Sequence, residues 1–159
     1  MQQLIVGISD CKVSGDTATS IMTYALGSCV GVALYDPDAK IAGLLHILLP
    51  NSINNTREDF NHFMFADTGL DRMIREMMAI GVTPTSLIAR IAGGANMLNS
   101  TSVLDIGRKN VQATLQFLER TRIPVRGSSV GGTVGRSMQI EVGTGRVLVK
   151  YLGGGELTL

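Results

Sequence analysis

Residues 23–30 read Thr-Tyr-Ala-Leu-Gly-Ser-Cys-Val and hold one of the two cysteines of this chain. One apolar run ends at Leu26, Gly27 and Ser28 interrupt it, and a second apolar run follows Cys29. Two short apolar runs separated by a glycine-containing break predict two strands joined by a tight turn. We therefore expect the Cys29 thiol at the mouth of a strand, where Gly27 lets the backbone approach closely.

His46 lies in the next apolar segment, residues 40–49, which is bounded by Asp-Pro-Asp at 36–38 and by Pro50. A segment this short and this apolar predicts a strand buried on both faces rather than a helix. A buried imidazole without a hydrogen-bond partner costs about 1–3 kcal/mol, so His46 needs a partner in the fold. A nearby Cys29 thiol would be that partner, and a Cys–His pair that meets in space gives a reactive thiolate. The spacing alone leaves open the alternative that both are ordinary core residues.

The composition predicts one globular domain over residues 1–159. The chain is 45% hydrophobic and 17% charged with a net charge of +1, and its length is enough for a sizeable core. It holds no basic run of the kind that follows a phosphate backbone, which argues against nucleic-acid binding. It also lacks an apolar stretch of membrane-spanning length and a secretory pattern at its start. Its two cysteines, Cys11 and Cys29, make no disulfide framework, so a reducing cytoplasm is the expected setting.

Short apolar runs bounded by turn residues predict further strands. The expected strands lie near residues 4–8, 21–26, 30–35, 40–48, 86–92 and 123–130, with a hairpin of 138–142 and 146–152. Polar–apolar alternation around the Gly-Thr-Gly at 143–145 is typical of an antiparallel pair with one exposed face. Residues 9–19 are polar and predict a loop or a hairpin connection.

A first amphipathic helix is predicted after Asp67 or Thr68, either of which is a suitable N-cap, and Gly81 is its stop signal. The apolar residues at helical spacing form the expected core face. They are Leu70, Met73, Ile74 and Met77.

A second helix is predicted from Asp105 or Ile106 to about Thr121, with Val111, Leu115 and Leu118 as its core face. It would connect the strands at 86–92 and 123–130 into a βαβ unit. The pattern as a whole predicts an α+β domain with a large mixed or antiparallel, sandwich-like β core and two packed helices.

Other candidate ligands give weaker signals. His62 lies in a polar and aromatic stretch and is expected at the surface, and Cys11 is expected to be an incidental free thiol. A metal site built from the two histidines and a nearby aspartate, Asp59 or Asp67, lacks the histidine spacing of a zinc helix, so no metal is predicted.

Two glycine-rich segments are candidate ligand-binding loops. Residues 131–136 fit neither a Walker phosphate loop nor a dinucleotide fingerprint, so no cofactor is predicted. Residues 93–95 read Gly-Gly-Ala, and either their N–H groups face a ligand or they form a plain strand-exit turn.

Five motifs occur in the order and rough spacing of one known family. They are Leu-Gly-Ser-Cys-Val at 26–30 with His46 seventeen residues after the cysteine, Ile-Ala-Gly-Gly-Ala-Asn-Met at 91–97, Ile-Gly-Arg-Lys-Asn at 106–110, Gly-Gly-Thr-Val-Gly-Arg at 131–136 and Gly-Thr-Gly-Arg-Val at 143–147. Together they extend over essentially the whole chain, which resembles the chemoreceptor glutamine deamidase family, CheD. The resemblance implies an α/β sandwich related to the catalytic domain of cytotoxic necrotising factor toxins, which are also glutamine deamidases.

The resemblance also implies a cysteine hydrolase that converts glutamine to glutamate and releases ammonia without a cofactor. In it Cys29 attacks the carboxamide, His46 moves the proton, and Thr23, six residues before the cysteine, orients the imidazole. A thioester forms and water hydrolyses it, and methylester hydrolysis is an adjacent reaction through the same thioester. Backbone N–H groups at Gly27 and Ser28 are the candidate donors to the oxyanion.

The implied substrates are glutamines on the cytoplasmic helices of methyl-accepting chemotaxis proteins, and the implied partner is a CheC-type response-regulator phosphatase. Two alternatives stay open. One is a binding module that docks to the phosphatase or to receptors, with catalysis secondary, and the other is a hydrolase of a small amide or peptide. A shallow site favours receptors, whereas a deep closed pocket favours a small molecule.

Overall fold

The computed structural model describes residues 2–98 and 105–159. Within these ranges the chain forms ten strands and two α-helices. In chain order they are β1 (Gln2–Val6), β2 (Asp10–Ser14), β3 (Thr19–Leu26), β4 (Val30–Asp36), β5 (Ile41–Ile47), α1 (Ala66–Ala79), β6 (Ile88–Gly93), α2 (Ile106–Arg120), β7 (Val125–Val130), β8 (Arg136–Glu141), β9 (Val147–Tyr151) and β10 (Glu156–Thr158).

The strands form two five-stranded sheets. The order is β1-β3-β8-β9-β10 in the sheet that we call the outer sheet and β2-β5-β4-β6-β7 in the central sheet. The central sheet has the outer sheet on one face and both helices on the other. Leu44 and Met138 lie in the core between the sheets, and Leu45 and Met73 lie in the core on the helix side. These layers confirm the predicted α+β class, with a mixed β core and two packed helices.

Strands β4 and β5 run through the middle of the molecule, and every one of their residues is buried. This explains why their sequences are almost continuously apolar, since both faces of a covered strand need apolar side chains. A Cβ atom on Gly43 would lie only 2.9 Å from the Met73 sulfur and 3.0 Å from the Met77 sulfur. The glycine therefore lets α1 pack directly against β5, the strand that carries His46.

The connections agree with the sequence prediction in two places. Strands β6 and β7 pair in parallel on either side of α2, which confirms the βαβ unit. Strands β8 and β9 pair antiparallel, which confirms the C-terminal hairpin. The fold adds β10, which pairs antiparallel with β9 at the edge of the outer sheet and for which no strand was predicted.

The predicted N-cap of the first helix is wrong. The helix begins at Ala66 with Phe65 in the N-cap position. The carboxylate of Asp67 accepts hydrogen bonds from the N–H and the hydroxyl of Ser52 instead. Asp67 thus fastens the preceding loop to the helix, whereas Thr68 donates its hydroxyl proton to the His62 carbonyl.

Two further expectations need correction. Residues 9–19 are not a continuous loop, because β2 pairs antiparallel with β5 at the edge of the central sheet. On α2, Leu115 is exposed, and Asn110, Thr114 and Leu118 face inward. Polar side chains occupy two of these inward positions because both find backbone carbonyls to donate to.

Candidate active site

The three side chains that the sequence singles out for chemistry lie in the core between the two sheets. Thr23 projects from β3 of the outer sheet, His46 projects from β5 of the central sheet, and Cys29 immediately precedes β4. Thr23 and His46 are 0% exposed and Cys29 is 6% exposed. The site is therefore shielded from water on nearly every side.

The Thr23 hydroxyl connects His46 to the backbone of β1. It donates to the Val6 carbonyl oxygen at 2.8 Å and lies 2.7 Å from Nδ1 of His46. Val6 is in place because β1 and β3 pair in parallel with Val6 opposite Thr23. Since the hydroxyl has one proton and the carbonyl can only accept it, Nδ1 must donate to Oγ1. The neutral imidazole thus carries its proton on Nδ1 and leaves Nε2 unprotonated.

Nε2 of His46 is buried and has no hydrogen-bond partner within residues 2–98 and 105–159, so the partner of the ring is Thr23 and not, as expected, the Cys29 thiol. Burial lowers the pKa of His46 to about 4, because the imidazolium form loses its hydration. An unpaired buried acceptor costs about 1–3 kcal/mol, and catalytic sites are among the places where such atoms are kept. His46 is therefore a neutral base at neutral pH with one free lone pair.

Cys29 lies diagonally across from His46. His46 pairs with Gly31 in the ladder between β4 and β5, and Cys29 stands two residues before Gly31. Diagonal neighbours on one face of an antiparallel pair are about 7–8 Å apart at their backbones, within reach of long side chains. The Cys29 side chain belongs to the core between the sheets, which is the side on which His46 meets Thr23. Burial raises the pKa of the Cys29 thiol, so the thiol and the imidazole are both neutral in the free protein.

Residues 27–29, which we call the cysteine turn, are held by the segment that follows β6. The Gly27 carbonyl accepts from the Ala95 N–H, and the Cys29 carbonyl accepts from the Gly94 N–H, both at 2.8 Å. The glycine-rich exit of β6 is therefore a structural support for the turn, which decides between the two interpretations of this segment.

The remaining carbonyl of the cysteine turn is held by a side chain. The Asn110 amide donates to the Ser28 carbonyl at 2.9 Å and to the Leu48 carbonyl at 3.0 Å. Leu48 follows β5 directly, two residues after His46. Asn110 therefore bridges the turn that carries the thiol and the end of the strand that carries the imidazole.

The N–H groups of the cysteine turn differ in their availability. The Gly27 N–H donates to the Ala25 carbonyl at 3.0 Å, so it is not free to bind an oxyanion in this structure. Burial raises the pKa of the Cys29 thiol, and the N–H of the same residue lowers it by a smaller amount. The Ser28 N–H has no protein acceptor in the part of the chain that the structure describes. Ser28 and Cys29 thus offer the better-placed donors.

Two glycines let α2 approach the cysteine turn. Gly94 has a φ of +64°, and a Cβ atom there would lie 2.3 Å from Cγ2 of Val111. A Cβ atom on Gly107 would lie 2.4 Å from the Ala95 carbonyl oxygen. The first turn of α2 is therefore in backbone contact with the segment that supports the cysteine turn, and Asn110 follows one helical turn later.

The other candidate residues lie away from this site. His62 stacks against Phe60 with a distance of 4.6 Å between ring centroids. Cys11 faces the helix-side core, so the two free thiols lie on opposite faces of the central sheet. Across the described ranges no group of three or more His, Cys, Asp or Glu side chains could hold a metal ion.

Sequence reasoning missed two members of the site, the Val6 carbonyl and Asn110. The role of Val6 depends on the parallel pairing of β1 with β3, for which the sequence carries no local signal. Asn110 did leave a signal, because it lies four and eight residues before Thr114 and Leu118 on the inward face of the helix. A polar side chain at a core position of an amphipathic helix indicates a hydrogen-bonding task.

Comparisons with known proteins point in one direction. The family model "CheD chemotactic sensory transduction" matches residues 48–151. A protein of Solibacter usitatus named probable chemoreceptor glutamine deamidase CheD is 42% identical over 154 residues, which cover 96% of this chain and 91% of that protein. A protein of Caldanaerobacter subterraneus with the same name is 43% identical over 155 residues, with coverages of 96% and 94%.

A solved structure shares the fold. A Neisseria meningitidis protein of the family DUF152 superposes with a TM-score of 0.57 at 11% identity, covering 84% of this chain and 65% of that chain. At this identity the likeness concerns the fold alone. No helix among the described residues is long and apolar enough to cross a membrane.

Proposed function

This chain belongs to the CheD family, and from that membership and the geometry of the site we propose that it deamidates glutamine side chains of chemoreceptors, with Cys29 as nucleophile. The observation that carries the proposal is the hydrogen bond between Thr23 and His46. It leaves Nε2 of His46 unprotonated in the same core as the Cys29 thiol, which is what a general base for a thiol requires. The relatives' names supply the substrate class.

The first half of the reaction forms a thioester. Nε2 of His46 takes the thiol proton while Sγ of Cys29 attacks the carboxamide carbon of the glutamine. The carbonyl oxygen becomes an oxyanion, and the N–H groups of Ser28 and Cys29 donate to it; losing one such donor costs ~10²–10³ in rate. The imidazolium then gives its proton to the amide nitrogen, the C–N bond breaks, and ammonia leaves.

The second half releases glutamate. Nε2, again unprotonated, takes a proton from a water molecule that attacks the thioester carbon. The C–S bond breaks, the sulfur recovers the proton from the imidazolium, and the carboxylic acid leaves as glutamate after losing a proton to solvent. Thr23 stays hydrogen-bonded to Nδ1 in both halves of the reaction. Its neutral hydroxyl orients the ring but does not offset the positive charge of the imidazolium.

Burial shapes the resting state of this pair. The pKa of the thiol is raised and the pKa of His46 is lowered to about 4, so proton transfer from Cys29 to His46 is uphill in the free protein. The transfer accompanies attack on the substrate, when the oxyanion donors receive the developing charge. A neutral, shielded thiol also resists oxidation, because the thiolate is the reactive form.

The finer features of the proposal follow from family membership. The substrates are glutamines on the cytoplasmic helices of methyl-accepting chemotaxis proteins, and methylesters at such sites react through the same thioester. The protein works in the cytoplasm, where free thiols such as Cys11 and Cys29 persist. A CheC-type phosphatase is the proposed regulatory partner, and kinship with the cytotoxic necrotising factor catalytic domain stays a prediction.

The second candidate function is a binding module for receptors or for the phosphatase. Apolar side chains on the surface next to the cysteine turn favour it. Met97, which is 48% exposed, lies so close to Gly27 that a Cβ atom there would be 3.3 Å from its Cγ. Leu98, the next residue along the chain, and Tyr24, three residues before Gly27, are also exposed. Such a surface suits an amphipathic helix, and a deamidase that modifies a helix needs it as well.

The test is intact-mass spectrometry of a chemoreceptor cytoplasmic fragment after incubation with the protein. Cys29→Ala is the catalytic variant, and Cys11→Ala is its matched control because it removes a buried thiol from the other core. We expect the mass gain of amide-to-acid conversion with the wild-type and Cys11→Ala proteins, and none with Cys29→Ala. Conversion by Cys29→Ala would refute the nucleophile. Co-elution of the fragment with all three proteins, without any mass change, would favour the binding module.

A further inference from the structure

Asn110 is a fully buried amide whose contacts all serve the surroundings of Cys29 and His46. It lies on the inward face of α2 with 0% exposure, and its two amide protons go to the carbonyls of Ser28 and Leu48. Both partners can only accept, so the orientation of the amide is fixed with Nδ2 toward them. A flipped amide would place Oδ1 against two carbonyl oxygens.

The other end of this amide lacks a partner. Oδ1 of Asn110 is buried and accepts no hydrogen bond from the residues that the structure describes. Leaving such an acceptor unpaired costs about 1–3 kcal/mol. An apolar side chain would avoid this cost, so the bridge between the two carbonyls is the feature that explains an amide at this position.

The bond to Ser28 sets the direction of the Cys29 N–H. In a trans peptide the carbonyl oxygen and the following N–H point in opposite directions. Because α2 packs on the helix side of the central sheet, Asn110 draws the Ser28 carbonyl toward that side. The Cys29 N–H is thereby aimed at the opposite side, which is the side of the core that holds the Cys29 side chain.

The bond to Leu48 ties this peptide to the histidine strand. The regular ladder between β4 and β5 ends with Val30 opposite Ile47. Beyond this last pair the Asn110 amide connects the two segments instead. It donates to the carbonyl of Ser28, just before β4, and to the carbonyl of Leu48, just after β5. The amide thus closes the ladder at the end where Cys29 and His46 lie diagonally opposite each other.

We propose that Asn110 is a positioning residue that aligns the Cys29 thiol and the Cys29 N–H with Nε2 of His46 by bridging the Ser28 and Leu48 carbonyls. The proposal rests on the proposed function, since it assumes that Cys29 and His46 react as a pair. The two backbone clamps of the cysteine turn, from Gly94 and Ala95, remain when Asn110 is replaced. A substitution therefore loosens one peptide without releasing the whole turn.

The experiment is a double-mutant cycle on the alkylation rate of Cys29 with iodoacetamide at pH 8, followed by peptide mapping. The four proteins are wild type, Asn110→Ala, His46→Ala and the double variant. We expect Asn110→Ala to slow alkylation about tenfold in the wild-type background, the size of coupling found within one hydrogen-bond network. In the His46→Ala background the same change has little effect, because the base that it aligns is gone.

Two controls separate positioning from general loosening. Thr114→Val removes a buried hydroxyl one turn along the same helix, whose bond goes only to the Asn110 carbonyl, and should leave the rate unchanged. Asn110→Asp keeps the size of the side chain but removes both amide donors, and it should match Asn110→Ala. It serves as the test variant if the alanine variant fails to fold.

Each outcome decides a point. Equal effects of Asn110→Ala in both backgrounds, or no effect in either, would overturn the positioning role. If His46→Ala itself leaves the alkylation rate unchanged, the Cys–His pair is wrong and the proposal falls with it. Because alkylation needs no receptor, a failure to deamidate a chosen receptor fragment leaves this result intact.

Discussion

The hydroxyl of Thr23 lies 2.7 Å from Nδ1 of His46, and it decides which nitrogen of the ring carries the proton. The tautomer is set by a third group, the Val6 carbonyl, which accepts the single proton of the Thr23 hydroxyl. A hydroxyl with a fixed acceptor behind it selects the same tautomer that a carboxylate would select. It differs from a carboxylate because it adds no negative charge beside a buried imidazole.

This difference predicts a ranking of variants. Thr23→Ala should lower the single-turnover rate about 10–100-fold, which is the usual effect of losing an orienting partner. Cys29→Ala and His46→Ala should lower the same rate by about 10²–10⁴-fold or more. Thr23→Ser keeps the hydroxyl and should retain most of the activity. Equal losses for Thr23→Ala, Cys29→Ala and His46→Ala in single-turnover assays would contradict the orienting role.

The buried neutral imidazole predicts a loss of stability in acid. In the unfolded chain His46 binds a proton below about pH 6.5, whereas in the folded protein it does so only below about pH 4. Between these values the unfolded state binds more protons, so the free energy of unfolding falls as pH falls. The free energy of unfolding at pH 4 should therefore be about 3 kcal/mol lower than at pH 7.

Urea unfolding at pH 7 and at pH 4.5 checks this prediction. His46→Gln has no titrating ring, so the difference in unfolding free energy between the two pH values should shrink relative to wild type. His62→Gln is the matched control, since it removes the other histidine outside the site. A difference in His46→Gln as large as that in wild type would show that other groups cause the acid sensitivity.

A buried guanidinium predicts an unusually costly Arg-to-Lys change. Arg136 donates to the carbonyls of Ser129 and Gly131, reaches that of Gly93 at 3.4 Å, and has its guanidinium 5.6 Å from the centroid of the Tyr151 ring. No carboxylate forms an ion pair with it in the described ranges. An ammonium group cannot reach several carbonyls in the plane of a fork.

Arg136→Lys should therefore lower the free energy of unfolding by about 3 kcal/mol, as expected when hydrogen bonds from a charged group are lost. Arg146→Lys, at an exposed position in the turn between β8 and β9, should change it little. Denaturant unfolding of both variants gives the comparison. A near-neutral effect of Arg136→Lys would mean that the ends of β6 and β7 do not depend on this fork.

Much of the fold follows from local sequence pattern. The apolar runs at 30–35 and 40–48 predict β4 and β5 because both faces of these strands are covered, and the helical periods predict α1 and α2. The same patterns do not say which strands are neighbours. The tautomer of His46 depends on the parallel pairing of β1 with β3, a contact between separate segments that local pattern leaves unspecified.

The predicted inward face of α2 is confirmed at Leu118 and at the partly buried Val111 and is wrong at Leu115, for a related reason. Apolarity favours Leu115 over Asn110 and Thr114 as a core residue, yet Leu115 is exposed. The two polar side chains face inward because carbonyls of the cysteine turn, of Leu48 and of the helix itself accept from them. The periodicity of a single sequence reflects which residues are apolar. It contains no information on the hydrogen-bond acceptors that distant segments bring to a helix.

The close approach of α2 to the cysteine turn predicts the effect of one glycine. Gly107→Ala should stabilise an isolated helix by about 1 kcal/mol. In this fold its Cβ atom would lie 2.4 Å from the Ala95 carbonyl oxygen and 2.7 Å from the Gly94 carbonyl oxygen, both of which are backbone atoms. The helix must therefore move away, and the hydrogen bonds of Asn110 to the Ser28 and Leu48 carbonyls lengthen.

We expect Gly107→Ala to lower both the unfolding free energy and the single-turnover rate, the latter about tenfold or more because a displacement of this kind misaligns the reacting groups. Gly69→Ala is the matched control on α1, where a Cβ atom meets Leu45 side-chain carbons at 3.1–3.3 Å. Its neighbours can adjust, and it lies on the helix away from the cysteine turn, so activity should persist. Full activity in Gly107→Ala would show that the position of α2 does not govern the site.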